Sequence, residues 1–349
     1  MSQSEPATSA QRDVRPREEK RRAALADRRP RRTISFYRYV RIADPAAFRE
    51  RLLAAWSGWD CLGRIYVASE GINAQMSVPL AHWEAFDAWT QAQPELAGVP
   101  YKVAVEEGEV PSFYKLTIKL REKIVADGLD DRTFDVTNTG EYLTAEEMNA
   151  YLDDPEAIVV DMRNAYESEV GHFAGALTPQ VETFREELQV VPRLLAAHKD
   201  KPIALYCTGG IRCEKASAWL QHQGFANVRH LQGGIIEYAH QVKERGLPNR
   251  FRGKNFVFDE RLGERVSDEV IARCHLCRTA ACDTHHHCQN QICHTLYIGC
   301  PACVTSHAGY CSRWCRMSDR LPARVKKSIA RYYNQFIRRR RPFRKTRLA

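Results

Sequence analysis

A chain of 349 residues with 44% apolar residues can bury the cores of two or three domains, and 52 basic against 43 acidic residues leave a formal charge of +9. No run of 18 apolar residues and no apolar signal core occurs, so neither a membrane span nor a secretory leader is expected. Twelve unevenly spaced cysteines suit a reducing cytoplasm better than a secreted disulfide scaffold.

The charge is concentrated at the two ends. Residues 1–32 hold ten Arg or Lys against five Asp or Glu, without an apolar pattern, and read as a disordered basic tail. From Arg320 onward twelve basic residues meet no acidic one, and 317–349 reads as a second basic tail. Such clustering fits a polyanionic partner, nucleic acid foremost, with solvated tails as the plain alternative.

Residues 33–125 show the order β-α-β-β-α-β. Ile34, Phe36, Tyr39 and Val40 begin a strand; Asp44-Pro45 then reads as a helix cap and first turn, with Phe48, Leu52 and Trp56 on one face. Two strands follow around a polar turn, Ser69-Glu70-Gly71-Ile72-Asn73, whose chemistry needs no more than a hairpin. A second helix (Trp83, Phe86, Trp89) and strand-like stretches at 101–105 and 113–125 complete a ferredoxin-like or acylphosphatase-like sandwich. Polar residues 126–143 read as a linker, and Thr144 with Glu147 forms a capping box.

From 144 to 245 strands and helices alternate, the pattern of a parallel α/β domain with its site at the strand carboxyl ends. Within it an apolar strand (Ile203 to Tyr206) delivers Cys207 into the loop Thr208-Gly209-Gly210-Ile211-Arg212, and a helix starts at once. Backbone N–H groups and the helix N-terminus form an anion cradle there. A cysteine at its mouth is expected to be a thiolate, with Arg212 adding a fixed positive charge. A buried core cysteine is the plain alternative for a lone Cys, but Gly-Gly, Arg and a helix start together favour a nucleophile. Cys213, one residue on, reads either as a resolving thiol or as helix packing.

This loop resembles the Cys-x4-Arg loop of the rhodanese family, which carries a cysteine persulfide. The segments Val159-Val160-Asp161-Met162-Arg163 with Glu167, His172-Phe173-Ala174-Gly175-Ala176 and Leu231-Gln232-Gly233-Gly234-Ile235 resemble that family too. Asp161 and Arg163 read as a structural ion pair. Related phosphatases use a loop one residue longer.

Residues 246–316 form a Cys/His-rich segment. Nine cysteines fall between Cys274 and Cys315, too short a stretch for its own hydrophobic core, so metal is expected to order it. Cys274-x2-Cys277 and Cys300-x2-Cys303, 22 residues apart, have nearly zinc-ribbon spacing and are the expected ligands of a structural zinc. Nine thiolates exceed one tetrahedral site, leaving a second site or a cluster open, and iron–sulfur ligation also fits the spacing. The His triplet at 285–287 reads as loop.

From about Ile34 to Cys315 the chain resembles the tRNA uridine(34) hydroxylase family, in its longer, cysteine-rich form. The resemblance rests on the order of the parts and on Ala68-Ser69-Glu70-Gly71-Ile72-Asn73, Val181-Glu182-Thr183-Phe184-Arg185-Glu186 and the run from Cys207 through Arg212, Cys213, Glu214 and Lys215 to Ser217. The basic N-terminal tail and the arginine run at 338–341 depart from it. The resemblance implies a tRNA-modifying monooxygenase that converts uridine 34 in the anticodon loop to 5-hydroxyuridine, with Cys207 as its persulfide-type cysteine. Molecular oxygen is then a co-substrate, with an unidentified reductant, since no flavin, haem or iron motif is legible. A sulfurtransferase passing persulfide sulfur from Cys207 to an acceptor is the rival, and a non-catalytic RNA-binding scaffold the third reading. No membrane or protein partner is indicated.

Overall fold

A computed structural model describes residues 16–105 and 111–332; the first part of the N-terminal basic tract and the arginine run at 338–341 lie outside them. The described part of that tract corrects the expectation of a disordered tail. It contains helix α1 (Arg17–Ala26), and strand β1 (Arg31–Tyr39) begins inside it. Glu18 and Glu19 complement the first turn of α1, Arg21 bonds the Tyr114 hydroxyl at 3.2 Å, and Arg29 pairs with Asp27 and Asp60 at 2.8 Å. These arginines have partners within the fold, which composition does not reveal.

After β1 come α2 (Pro45–Gly58), the hairpin β2 (Leu62–Ala68) and β3 (Gly71–Pro79), α3 (Trp83–Gln91), β4 (Lys102–Val103) and β5 (Leu116–Leu120). Asp44 caps α2 as its neighbour Pro45 implied, accepting from the Ala46 and Ala47 N–H groups. The sheet order β4-β1-β3-β2-β5 is the acylphosphatase-like arrangement with one added edge strand, β5, parallel to β2. The stretch at 113–125 pairs over five residues only. Phe113 and Ile124 are buried outside the ladder, so apolar alternation there marks burial rather than pairing. Helices α2 and α3 cover one sheet face, where Phe36, Trp56, Ile65, Met76 and Phe86 pack. By the two-residue period of a strand, Ser35, Tyr37, Arg64, Tyr66, Asn73 and Gln75 belong to the other face.

The segment 126–143 is not a free linker. Asp127 and Phe134 are buried, Phe134 meets the Trp219 ring at 5.4 Å, and its last residues form β6 (Glu141–Leu143), an edge strand of the central sheet. The central domain continues through α4 (Ala145–Asp153), β7 (Ile158–Asp161), α5 (Ala165–Ser168), β8 (Gly171–Phe173), α6 (Phe184–Leu194), β9 (Ile203–Tyr206), α7 (Ile211–His222), β10 (Val228–Leu231) and α8 (Gly234–Arg245). Its four-stranded sheet, order β6-β10-β9-β7, is parallel throughout, with an apolar cluster on each face. Asp161 and Arg163 form a fully buried ion pair at 2.7 Å, the structural pair expected.

The C-terminal segment starts with β11 (Phe251–Asn255), which pairs with β8 of the central domain and with β12 (Glu264–Arg265). A hairpin of β13 (His285–His287) and β14 (Leu296–Ile298) follows, then α9 (Pro301–Ser306), α10 (Arg313–Ser318) and α11 (Ala323–Tyr332). No helix among the described residues is long and apolar enough to cross a membrane.

Candidate active site and metal centres

Cys207 sits directly after β9 at the carboxyl end of the parallel sheet, fully buried. Gly210 makes the turn into α7 with φ +96°, and a side chain there would meet the Tyr37 hydroxyl at 2.9 Å, so glycine is required twice over. The Gly210 N–H donates to Cys207 Sγ at 3.1 Å. Behind the loop, a Cβ on Gly234 would lie 2.5 Å from the Cys207 carbonyl oxygen, which explains the Gly-Gly turn opposite the cradle. Burial alone pushes the Cys207 thiol up, but the Cys213 thiol, the Arg212 guanidinium and the backbone N–H groups of Arg212 and Gly210 outweigh it and bring its pKa down to about 5. Cys213, on the first turn of α7, is itself fully buried, and burial with the neighbouring sulfur holds it as a neutral thiol. It is helix packing and thiol partner at once.

Arg212 does not stand free. Glu167, at the start of α5, takes its guanidinium in two bonds of 2.7 and 2.9 Å, and Thr208 Oγ1 lies 3.3 Å from the same group. A second carboxyl, Glu187 on α6, is fully buried beside them with neither oxygen hydrogen-bonded, and burial raises its pKa.

The residues after Arg212 bind the N-terminal domain. Glu214 accepts from the Tyr37 hydroxyl at 2.9 Å and the Tyr142 hydroxyl at 2.8 Å. Lys215, 1% exposed, reaches Glu70 at 2.9 Å and Asp131 at 2.8 Å, and the Ile211 carbonyl accepts from Tyr39 at 3.5 Å. The turn at Glu70 is thus more than a hairpin: its carboxylate crosses to the cysteine helix and also accepts from the Ile124 N–H.

Docked this way, the helix-free face of the N-terminal sheet encloses a cavity of about 400 Å³ over the cysteine loop. Its lining combines Cys207, Thr208, Gly209, Ile211 and Arg212 with Tyr37, Tyr66, Gln75 and Lys102 from the first domain. Phe258 and Arg261 from the C-terminal segment close it. That volume lies in the range of small-molecule sites. Sequence reading assigned no role to Lys102, Tyr37, Glu214 or Lys215. Only the structure reveals them: at β4 Lys102 is buried and the following Val103 exposed, the reverse of what polarity dictates for a strand packed only for stability.

In the C-terminal segment Cys274, Cys277, Cys300 and Cys303 bring their sulfurs within 4.8 Å of one another, and so do Cys288, Cys293, Cys311 and Cys315. The first set is the one expected from spacing; the second joins pairs with irregular spacing, and Cys282 belongs to neither. Cys293 and Cys315 lie 3.7 and 3.6 Å from the Cys311 sulfur. A disulfide needs about 2.05 Å, whereas four thiolates about 2.3 Å from a tetrahedral zinc stand about 3.8 Å apart. Backbone N–H groups of Cys300 and Cys311 point at Cys274 and Cys288 sulfurs (3.3 and 3.4 Å), as the surroundings of metal-bound thiolates do. Both sets can hold a metal ion.

The chain matches the UPF0176 acylphosphatase like domain over residues 31–124, the Rhodanese-like domain over 144–241 and the Rhodanase C-terminal domain over 252–316. A solved rhodanese-like domain from Anabaena sp. is 18% identical, with a TM-score of 0.26, over 33% of this chain and 80% of that one. The tRNA uridine(34) hydroxylases of Escherichia coli strain UMN026 and strain K12 are 55% and 54% identical to it over 292 residues, covering 83% of this chain and 83% of each relative. Identity of that extent, running through all three parts of the fold, makes this chain a member of the tRNA uridine(34) hydroxylase family.

Proposed function

We propose that the protein hydroxylates uridine 34 of tRNA to 5-hydroxyuridine, with Cys207 as its reactive group and Arg212 holding the cradle. The observation that carries this reading is the 54–55% identity to curated tRNA uridine(34) hydroxylases across 83% of the chain. The cavity suits it: about 400 Å³ lined by Tyr37, Tyr66 and Phe258 offers aromatic faces to a single base drawn out of an anticodon loop. On α11 the exposed Arg324 is available for a phosphate contact that gives affinity without sequence information.

The chemistry asked of Cys207 is nucleophilic. Its thiolate adds to C6 of the uracil and raises electron density at C5, where oxygen is to be installed. Dioxygen supplies that atom, and its second oxygen leaves as water with two electrons from a cellular reductant and two protons. Zinc in the two cysteine sets is structural in this reading, anchoring the segment that supplies Phe258 and Arg261 to the cavity. The cytoplasm is the compartment this reading assigns, supported by the tRNA substrate and by cysteines spaced unlike a secreted disulfide scaffold.

The test is nucleoside mass spectrometry of tRNA incubated with the full chain in air and under nitrogen. A gain of one oxygen on uridine, absent under nitrogen and absent with Cys207→Ser, is the expected result. Replacement of oxygen by sulfur when a persulfide donor is added would make the protein a sulfurtransferase instead.

A further inference from the structure

A cation that faces the cysteine loop from the cavity side comes from the other domain. Lys102, on β4, is 9% exposed, and its stem passes over the loop glycines: a Cβ on Gly209 would lie 3.9 Å from Lys102 Cδ, and one on Gly233 3.5 Å from Cε. Its ammonium rests 4.4 Å from the centroid of the Tyr37 ring. Among the described residues no carboxylate pairs with it within salt-bridge distance, in contrast to Arg212, which Glu167 neutralises, and Lys215, which Glu70 and Asp131 neutralise. Burial lowers its pKa to about 8, and among the charges that keep it protonated the Cys207 thiolate leads, ahead of Glu214 and Glu237. A buried lysine with only a ring for company, in the cavity that holds the thiolate, has no structural purpose that a leucine or methionine would not serve better.

We propose that Lys102 is a working part of the Cys207 site, the positive charge through which the N-terminal domain holds negative charge at the reacting centre. In the free protein that charge is the thiolate. In the addition step of the proposed function, on which this part rests, the sulfur lone pair forms the C6–S bond and the C5=C6 electron pair moves onto O4 as an enolate. No atom leaves and no oxidant is needed. The Lys102 ammonium donates to the enolate oxygen, the charge developed only as the bond forms. Arg212, paired with Glu167 behind the loop, is left to shape the cradle. The active site is then a two-domain site, and the clasp of Glu214 and Lys215 sets the height of Lys102 above the sulfur.

Alkylation of Cys207 in the full chain, followed against pH by mass spectrometry of its peptide, tests this without relying on turnover. The titratable groups around the sulfur are Arg212 and Cys213 from α7, Glu187 from α6, Tyr37 from β1 and Lys102 from β4, with Glu167 from α5 paired to Arg212. Lys102→Met and Lys102→Gln are expected to raise the alkylation midpoint by about one pH unit. They should also lower kcat on tRNA ~10²-fold with KM little changed. Lys102→Arg, which keeps the charge, should restore the midpoint, a rescue that a mere packing role does not predict. An alkylation midpoint identical to wild type in both neutral variants overturns the inference. Hydroxylation that survives Cys207→Ser would instead overturn the nucleophilic role of Cys207 in the proposed function and leave the alkylation result standing.

Discussion

Buried sulfur occurs here in two settings. At Cys207 one thiol meets backbone N–H groups, a guanidinium and a neutral thiol, opens on a cavity, and is held as a thiolate with no second sulfur able to claim its charge. In the C-terminal sets four sulfurs converge, each within 4.8 Å of the others, and the nearest cavity-lining residues belong to the preceding loop instead. The same atom is set up for nucleophilic attack where one thiolate faces fixed donors and for metal binding where four sulfurs face each other. What differs is the source of compensating charge: the protein supplies it at Cys207, and a metal ion can supply it at the other eight.

The sharpest break of that comparison is mutational. Cys207→Ser should lower hydroxylation at least ~10³-fold while the chain keeps its bound metal. Cys274→Ser should cost the chain a bound metal ion by elemental analysis and expose residues around 274–303 to hydrogen exchange. If Cys207→Ser also loses metal, or exposes residues 274–303 to exchange, the division into working and structural sulfur is wrong. Next in size is the clasp. Lys215→Met leaves Glu70 without its cation and Asp127 and Asp131 with Lys123 alone, and should destabilise the protein by about 3–5 kcal/mol in denaturant unfolding. A loss below about 1 kcal/mol would mean that the domains are not held together there.

Titration sharpens the contrast further. Cys207 alkylation should be half-maximal near pH 5. The folded pKa of about 5 lies below the ordinary value of 9.0, so the thiolate's contribution to stability is complete above about pH 9 and falls away as the pH drops towards 5. The difference in unfolding free energy between wild type and Cys207→Ser should therefore shrink on acidification through that window; a pH-independent difference would contradict the shifted thiol. The smallest effect is expected at Tyr37→Phe, where Glu214 keeps its bond from Tyr142 and the loss is about 1 kcal/mol.

Much of this was legible along the chain. The β-α-β-β-α-β order, the alternating central domain, the Cys207 loop and the Cys274-Cys277-Cys300-Cys303 set all rest on local periods and short spacings, which sequence carries directly. Asp44, Thr144 and Gly210 act within a few residues of themselves, and their roles follow from residue type. The second cysteine set was hidden because its pairs, Cys288 with Cys293 and Cys311 with Cys315, alternate along the chain with those of the first. Interleaved loops bring them together, and spacing alone does not choose among nine sulfurs.

What the sequence by itself determined is the strand and helix order of the first sandwich and of the alternating central domain, and that a cysteine ends one strand in a loop of donors. Only the tertiary structure decided what that cysteine faces. Lys102, Tyr37 and Glu70 lie between 105 and 177 residues from their partners around the loop, counted from Lys102 to Cys207 and from Tyr37 to Glu214. Their polarity reads as surface in one dimension. It becomes a site because the uncovered face of the first sheet closes on the carboxyl end of the second, where burial removes the water that would otherwise screen each of these charges.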